Sequence, residues 1–285
     1  MRKFALVLVA STALSWTAAY ADDTAAPSDT AAPADAATAD KEADPLAKQN
    51  FTGTLWLVTD YMFRGISNTR NHPAVQGELD WTYEGFYVSG WASNTEFSTA
   101  HLETDGYFGY RWSWSDLNFD AGGLYYGFPG GQNPSVNAFG KHTDVDYGEG
   151  KIGVSKNFDA PLSPAVGATV FVSPDFSGND GLAEAVNGTL GLSLPYGINF
   201  GSGIGFQNVE GDQSSGKSQG ILKPDGSLLD GYHYVWWNAG FNTDIRGFHL
   251  DLSYYDTADT DTLKTFYGSS TLFGGRVVFL LSRAF

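Results

Sequence analysis

Charged side chains recur inside segments of this sequence that are otherwise apolar and aromatic, and they are the first candidates for chemistry. They are Asp60, Arg64, Glu78, Asp80, Glu103, Asp105, Arg111 and Asp251. Carboxylates and guanidinium groups that share one surface can sort small solutes by charge. On a membrane-spanning strand such groups should face away from lipid, where an Arg or Lys costs up to about 2–4 kcal/mol. They are therefore candidate pore-lining residues, although the same charges, paired with one another, would instead plug a closed lumen.

The sequence offers little that resembles a catalytic or metal site. His142 lies near Asp144, and His101 lies near Glu103, but neither pair matches a known catalytic signature. There is no Cys, which excludes disulfides, thiolate metal ligands and a cysteine nucleophile. The acidic run 256–261 lacks the Gly and terminal Glu of an EF-hand loop. We expect no enzymatic activity, no catalytic residue, no metal and no cofactor.

Composition narrows the class of protein that could position these charges. The 285 residues include 20 Phe, 15 Tyr, 8 Trp and 35 Gly, but only 17% are charged, against roughly 25% in an ordinary soluble domain. The net charge of -16 argues against a nucleic-acid partner. Beyond the first twenty residues no apolar run approaches the ~20 residues of a spanning helix. This combination is typical of a transmembrane β-barrel, in which only alternate residues contact lipid.

The N-terminal region is predicted to be an export signal and a tail. Arg2 and Lys3 precede the apolar stretch 4–14, and the small-x-small site 19–21 follows it, which is the layout of a cleaved signal peptide at 1–21. Residues 22–48 are rich in Ala, Asp, Thr and Pro, and such a segment has too little apolar surface to offset the entropy of ordering. We predict a disordered periplasmic tail at 22–48 and a barrel at 49–285.

From residue 51 onward, hydrophobicity alternates with a period of two. In 248–255, for example, Phe248, Leu250, Leu252 and Tyr254 alternate with polar residues. Such alternation indicates half-buried strands, and the segments are long enough for a tilted membrane strand of ~9–11 residues. We predict an all-β fold, a single antiparallel up-and-down barrel of about twelve strands: 51–63, 73–84, 86–98, 102–113, 116–128, 145–156, 164–172, 185–194, 198–207, 232–244, 247–256 and 271–285.

The lengths of the connections predict the orientation of the barrel. Long connections, such as 64–72, 129–144 and 208–231, alternate with short ones, such as 114–115 and 195–197. Outer-membrane barrels have short periplasmic turns and long extracellular loops, so both termini should be periplasmic. Aromatic residues near strand ends are interpreted as interfacial girdles, namely Tyr61, Phe63, Trp81, Trp112, Trp114, Trp236 and Trp237.

The last strand ends in an aromatic residue, Phe285, preceded at alternate positions by Leu281, Phe279 and Val277. This pattern resembles the signal by which the barrel-assembly machinery recognises its substrates. Phe285 is therefore the predicted assembly signal. Arg283 departs from the pattern, because an apolar residue usually occupies that position.

Several blocks resemble one family. The block 60–67 (DYMFRGIS), followed by 73–77 (PAVQG), is similar to the opening of the TorF family of porins, which are proteobacterial outer-membrane proteins. Weaker matches follow at 85–87, 91–94, 103–105, 109–110, 123–130, 254–257 and 276–279. The resemblance covers residue 51 to the end and excludes the tail. It implies an outer-membrane barrel with a porin role and does not imply a particular solute.

The sequence therefore leaves a first hypothesis and two alternatives. The first is an outer-membrane channel for passive diffusion of small hydrophilic solutes, embedded in outer-membrane lipid and lipopolysaccharide and requiring no cofactor. The second is a closed structural or adhesive barrel that acts through loops 129–144 and 208–231. The third is a secreted soluble β-sandwich that binds glycans.

Overall fold

The computed structural model describes residues 44–136, 142–178, 181–211, 231–258, 260–261, 263–264 and 271–285. Apart from two short 3-10 helices, Lys48–Asn50 and Pro195–Gly197, and helical residues at 261 and 263–264, the regular elements of the described residues are strands. In chain order they are β1 (Phe51–Val58), β2 (Met62–Phe63), β3 (Ile66–Ser67), β4 (Ala74–Tyr83), β5 (Phe86–Asn94), β6 (Leu102–Trp114), β7 (Leu117–Gly127), β8 (Gln132–Val136), β9 (His142–Asp144), β10 (Tyr147–Asn157), β11 (Ala165–Ser173), β12 (Ala183–Ser193), β13 (Ile198–Val209), β14 (Tyr232–Ile245), β15 (Phe248–Ala258) and β16 (Arg276–Ala284).

Twelve of these strands form one closed antiparallel barrel. Its order around the wall is β1-β16-β15-β14-β13-β12-β11-β10-β7-β6-β5-β4, and the ring closes where β1 pairs with both β16 and β4. Closure removes the sheet edges, so the backbone N–H and C=O groups of the wall find partners within the wall. The predicted fold class, an up-and-down barrel of about twelve strands, is confirmed. The pairs β2–β3 and β8–β9 are separate hairpins outside the ladder.

The two faces of the wall differ as the alternation predicts. On β15, Leu252 and Tyr254 are exposed outward, whereas Asp251 and Ser253 are buried on the inner face. The same division holds three strands away around the ring, where Val75 and Leu79 of β4 are exposed and the residues between them are not. An apolar outer face around a polar interior is the arrangement of a membrane-spanning barrel. Among the described residues, no helix is long and apolar enough to cross a membrane.

Most predicted strand boundaries lie within two residues of the observed ones, but three were wrong by four or five residues. The first strand ends at Val58 rather than 63, the third ends at Asn94 rather than 98, and the last begins at Arg276 rather than 271. Alternation alone did not mark these ends, because apolar residues continue past them. After Val58 the chain leaves the wall and turns inward, so residues 64–69 are buried, and only 70–72 are exposed as in the surface loop that we expected.

The last residues of the predicted tail contact the barrel. Residues 44–48, assigned to the tail by composition, belong to the described part of the chain, and the carbonyl of Pro45 accepts a hydrogen bond of 2.7 Å from Trp81 Nε1. Residues 1–43, including the predicted signal peptide, lie outside the described residues. The contact through Trp81 holds the chain against β4 immediately before it enters β1.

The predicted aromatic girdle is correct only for the residues that face outward. Trp112, Trp114 and Trp237 are exposed on the outer face, whereas Tyr61 and Trp236 are buried inside the barrel. The remaining predicted members, Phe63 and Trp81, are half-buried. Successive residues of a strand point to opposite faces, so the neighbours Trp236 and Trp237 could not both have faced lipid.

Candidate functional site: the lumen and its hairpin

Residues 59–73 form a hairpin inside the barrel, which we call the lumen hairpin. Met62 pairs with Ser67 and Phe63 with Ile66 across a turn made by Arg64 and Gly65, whose φ angles are 44° and 77°. Glycine adopts such a positive φ without steric cost, which favours a tight turn at this point.

Polar side chains close the base of the lumen hairpin. The Asp60 carboxylate accepts hydrogen bonds from the hydroxyls of Ser67 (2.6 Å) and Thr69 (3.0 Å). The Thr69 hydroxyl in turn accepts one from the backbone N–H of Tyr61 at 3.1 Å. These three hydrogen bonds join residues of the hairpin to one another and so stabilise its conformation.

The tip of the lumen hairpin carries a fully buried cation, Arg64, whose exposed fraction is 0%. Its guanidinium donates to both oxygens of Glu149 at 3.1 and 2.7 Å and to Gln207 Oε1 at 3.2 Å. It also lies 5.0 Å from the ring centroid of Phe63 and 5.1 Å from that of Phe171. Burial is the largest single influence and acts to lower the pKa of Arg64, but the Glu149 carboxylate together with Tyr126 and Tyr147 outweighs it, and the net pKa is raised. Arg64 is therefore a permanent cation.

The lumen hairpin crosses the whole barrel. It leaves the wall at the end of β1, while Arg64 packs on Phe171 of β11, which stands six strands away in the ring of twelve. The Thr257 hydroxyl of β15 donates a hydrogen bond of 2.9 Å to the carbonyl of Gly65. A Cβ at position 65 would lie 2.5 Å from the Cβ of Trp236 on β14, so only glycine fits there. The hairpin thus fills the lumen at its own level.

A second ion pair holds the base of the lumen hairpin to the wall. Arg276, the first residue of β16, donates to Asp60 Oδ2 at 2.8 Å and to the carbonyl of Thr271 at 2.5 Å. It also donates to the side chain of Asn71. The two arginines therefore connect the hairpin to β10 at its tip and to β16 at its base.

The four carboxylates Glu78, Asp80, Glu103 and Asp105, which we call the acidic wall, lie on the inner faces of β4 and β6. All four are buried, and none forms an ion pair with another described residue. Each has an oxygen without a hydrogen-bond partner in the described chain. Among the described residues, no cation lies within 4 Å of these four carboxyl groups.

The lumen hairpin covers the acidic wall through Tyr61. The Tyr61 hydroxyl donates to Glu103 Oε1 at 3.0 Å, and its ring packs edge-on against Trp91 with centroids 5.4 Å apart. Trp91 stands between Glu78 and Asp105 in the ladder. Burial and the neighbouring Glu103 carboxylate raise the pKa of Tyr61 well above its usual range, so the hydroxyl remains a donor.

A second charged cluster lies nearer the short turns. Asp120 Oδ2 is 2.9 Å from Lys151 Nζ and 3.7 Å from Arg111 Nε, and its other oxygen accepts a hydrogen bond of 2.9 Å from Tyr87. The Arg111 guanidinium lies 4.3 Å and the Lys151 ammonium 5.5 Å from the Tyr87 ring centroid. The inner surface therefore has a basic sector below the acidic wall.

All eight charged residues singled out in the sequence lie inside the barrel, including Asp251, which accepts a hydrogen bond of 2.6 Å from Ser253. Sequence reasoning missed four further inward charges: Asp120, Glu149, Lys151 and Arg276. All four fall within predicted strands. On β10, however, Glu149 and Lys151 alternate with Gly148 and Gly150, which provide no hydrophobic contrast.

The other singled-out residues are dispersed. His101 is exposed, whereas Glu103 is buried against Tyr61, and the side chain of His142 lies outside the described residues. Most of the loop 208–231 is likewise outside them. Phe285 is 78% exposed, and its backbone N–H donates to the carbonyl of Gly53 at 2.8 Å, next to the closing pair of strands.

Close packing of the inner face predicts a large effect of one glycine substitution. A Cβ at Gly205 of β13 would lie 2.1 Å from the buried Trp236 ring, so Gly205→Ala is expected to lower the free energy of unfolding by about 1–3 kcal/mol. Urea titration in detergent micelles measures this. Gly90→Ala is the matched control, because nothing lies within 4 Å of a Cβ there. Equal stabilities of the two variants would contradict close packing around Trp236.

Comparison with solved structures finds distant similarity to outer-membrane porins. The NanC porin is 8% identical, with 82% of this chain and 98% of that chain covered and a TM-score of 0.45. OccAB3 of Acinetobacter baumannii is 9% identical, with 83% of this chain and 65% of that chain covered and a TM-score of 0.42. OmpT of Vibrio cholerae lacking loop L8 is 8% identical, with 82% of this chain and 98% of that chain covered and a TM-score of 0.40. Nothing about a solute follows from similarities this distant.

The comparison with curated proteins finds no match. A family model does match, over residues 42–285, which is the barrel with the residues that precede β1. Its description gives no function and does not use the name TorF. The chain belongs to the family described as "Bacterial protein of unknown function (Gcw_chp)".

Proposed function

We propose that this protein is an outer-membrane channel of the porin type, which passes small hydrophilic solutes by passive diffusion and without a cofactor. The observation that carries the proposal is the division of charge between the two faces of the closed wall. The outer face is apolar, while acidic and basic side chains are concentrated on the inner face. Buried charge is costly in a barrel that serves only as a scaffold, and a solute pathway gives it a use.

The proposal includes an orientation and partners. The short connections, such as 84–85 and 246–247, lie at the same end of the barrel as the first residues of β1, and we place this end in the periplasm. The barrel would lie in outer-membrane lipid and lipopolysaccharide after assembly by the barrel-assembly machinery, with Phe285 as its signal. The resemblance of the block 60–67 to the TorF porins supports the same assignment.

A specific observation favours a second candidate, a closed barrel with a structural or adhesive role. The lumen hairpin crosses the interior from β1 to β11 and contacts the wall on both sides. If the hairpin never leaves this position, the pathway at its level is blocked.

Conductance in a planar lipid bilayer separates the two candidates. We expect stepwise current from purified, refolded protein if it is a channel. Folding is checked independently by the faster gel migration of unboiled samples, which a closed barrel should show. A folded protein that gives no current, either as the wild type or with the lumen hairpin replaced by a short turn, would rule out the channel and leave the closed barrel.

A further inference from the structure

We propose that the lumen hairpin, residues 59–73, is a gate: it closes the lumen through the ion pair of Arg64 with Glu149, and its release uncovers the acidic wall. This inference rests on the proposed channel function and specifies how that channel is controlled. Three features of the structure support it: the two hairpin strands are not part of the barrel ladder, the tip is held by an ion pair, and the hairpin covers the acidic wall.

The wall does not need the lumen hairpin for closure. The ladder between β1 and β4 runs from Phe51 opposite Trp81 to Val58 opposite Ala74, and the hairpin is inserted after this last pair. Its own two strands pair only with each other.

The backbone bonds of the hairpin to its surroundings lie away from the tip: Thr59 N–H donates to the carbonyl of Phe279 at 3.0 Å, Ser67 N–H to that of Leu272 at 2.8 Å, and Glu96 N–H to that of Asn68 at 2.7 Å. Release of the hairpin would break such bonds but none of the ladder bonds between paired barrel strands, as expected of a movable element within a rigid frame.

The tip is held by side chains rather than by backbone. Arg64 donates two hydrogen bonds to Glu149 and one to Gln207, and the Thr257 hydroxyl bonds the carbonyl of Gly65. A charge-assisted pair between a planar guanidinium and a carboxylate is strong and directional. Because these contacts are few, loss of one charge should shift the balance between the seated and the released hairpin.

The hairpin covers the acidic wall, so its movement would change the charge of the lumen. Tyr61 is bonded to Glu103 and packed on Trp91, so its departure would free the second carboxyl oxygen of Glu103. Arg64 would leave the lumen in the same movement and take a positive charge out of the pathway. Opening should therefore both widen the lumen and make its fixed charge more negative.

The test uses the full barrel with two changes that should release the lumen hairpin and one control. The first replaces residues 59–73 by a four-residue Gly-Ser-Asn-Gly turn that joins Val58 to Ala74. The second is Arg64→Ala, and Glu149→Gln, which removes the same charge pair from the side of the wall, serves where Arg64→Ala does not fold. The control is Arg70→Ala, because Arg70 lies in the same segment, is exposed and carries the same charge.

We expect the hairpin-replaced barrel to conduct continuously and at least several times more than the wild type. Arg64→Ala or Glu149→Gln should raise the fraction of time spent open, and Arg70→Ala should match the wild type. Equal conductance of all folded variants would overturn the gate while leaving a channel. Absence of current from every folded variant, including the hairpin-replaced barrel, would overturn the channel itself.

A second measurement follows the movement directly, without requiring current. The chain has no Cys, so Ile66→Cys introduces a single thiol at a buried position on β3. A membrane-impermeant maleimide should label it slowly in the parent and at least tenfold faster when Glu149→Gln is added. Equal labelling rates in the two backgrounds would show that the ion pair does not hold the hairpin, and would contradict the gate.

Discussion

Neutralising the acidic wall is expected to remove most of the cation preference of the open barrel. In the hairpin-replaced background, the change is Glu78→Gln, Asp80→Asn, Glu103→Gln and Asp105→Asn together. A unit charge at 4 Å contributes about 1 kcal/mol in bulk water and about 4 kcal/mol at the effective dielectric constant near a protein surface. Since about 1.4 kcal/mol corresponds to a factor of ten, the four carboxylates should favour cations over anions by at least about tenfold.

The measurement is the reversal potential across a gradient of potassium chloride. We expect the unsubstituted acidic wall to give a potential close to the cation limit and the neutralised wall to move it toward zero. Higher ionic strength should reduce the difference, because salt screens exposed charges over about 10 Å at 0.1 M. A reversal potential that does not move would show that ions do not pass the acidic wall.

A matched control separates the position of the charge from its amount. Four exposed acidic residues outside the lumen, Glu84, Asp116, Asp159 and Asp175, can be changed to the corresponding amides. This set removes the same formal charge from the protein. We expect its reversal potential to stay near that of the parent; a shift as large as that of the acidic wall would assign selectivity to the surface charge of the whole molecule.

The sequence predicted the wall of this barrel well because the wall obeys a local rule. Alternation with period two identifies a strand and assigns its faces, as on β15, where Leu252 and Asp251 point to opposite sides. The requirement that no edge remain in lipid then forces the first strand to pair with the last, as β1 and β16 do. The number of strands, their order and the inward position of most charges follow from these two rules alone.

The position of the lumen hairpin could not be predicted in this way. A connection of this length after β1 has the same composition whether it extends into solvent or folds into the lumen. The decisive contact joins Arg64 to Glu149, 85 positions apart in sequence, and nothing local marks either as the partner of the other. A buried pair of this kind depends on the diameter of the barrel, which exists only once all strands are in place.

Removing the partner of Arg64 is expected to destabilise the folded barrel strongly. Glu149→Leu leaves a fully buried guanidinium without the carboxylate that accepts two of its hydrogen bonds. Breaking a buried ion pair from one side typically costs 3–5 kcal/mol, so we expect a loss of roughly that size. Urea-induced unfolding in detergent micelles, followed by tryptophan fluorescence, gives the free energy of unfolding.

The double variant Arg64→Met with Glu149→Leu provides the sharper comparison. It removes both charges and leaves an unbranched side chain between Phe63 and Phe171, where the guanidinium lies in the wild type. Replacing both partners of a buried pair by apolar groups is often nearly neutral, so the double variant should be more stable than Glu149→Leu alone. The exposed pair of Lys156 with Asp116 is the control, since Asp116→Leu should change stability little. A double variant no more stable than the single would show that the loss of Glu149 does not destabilise the barrel through the buried charge of Arg64, and that the two residues stabilise the barrel separately.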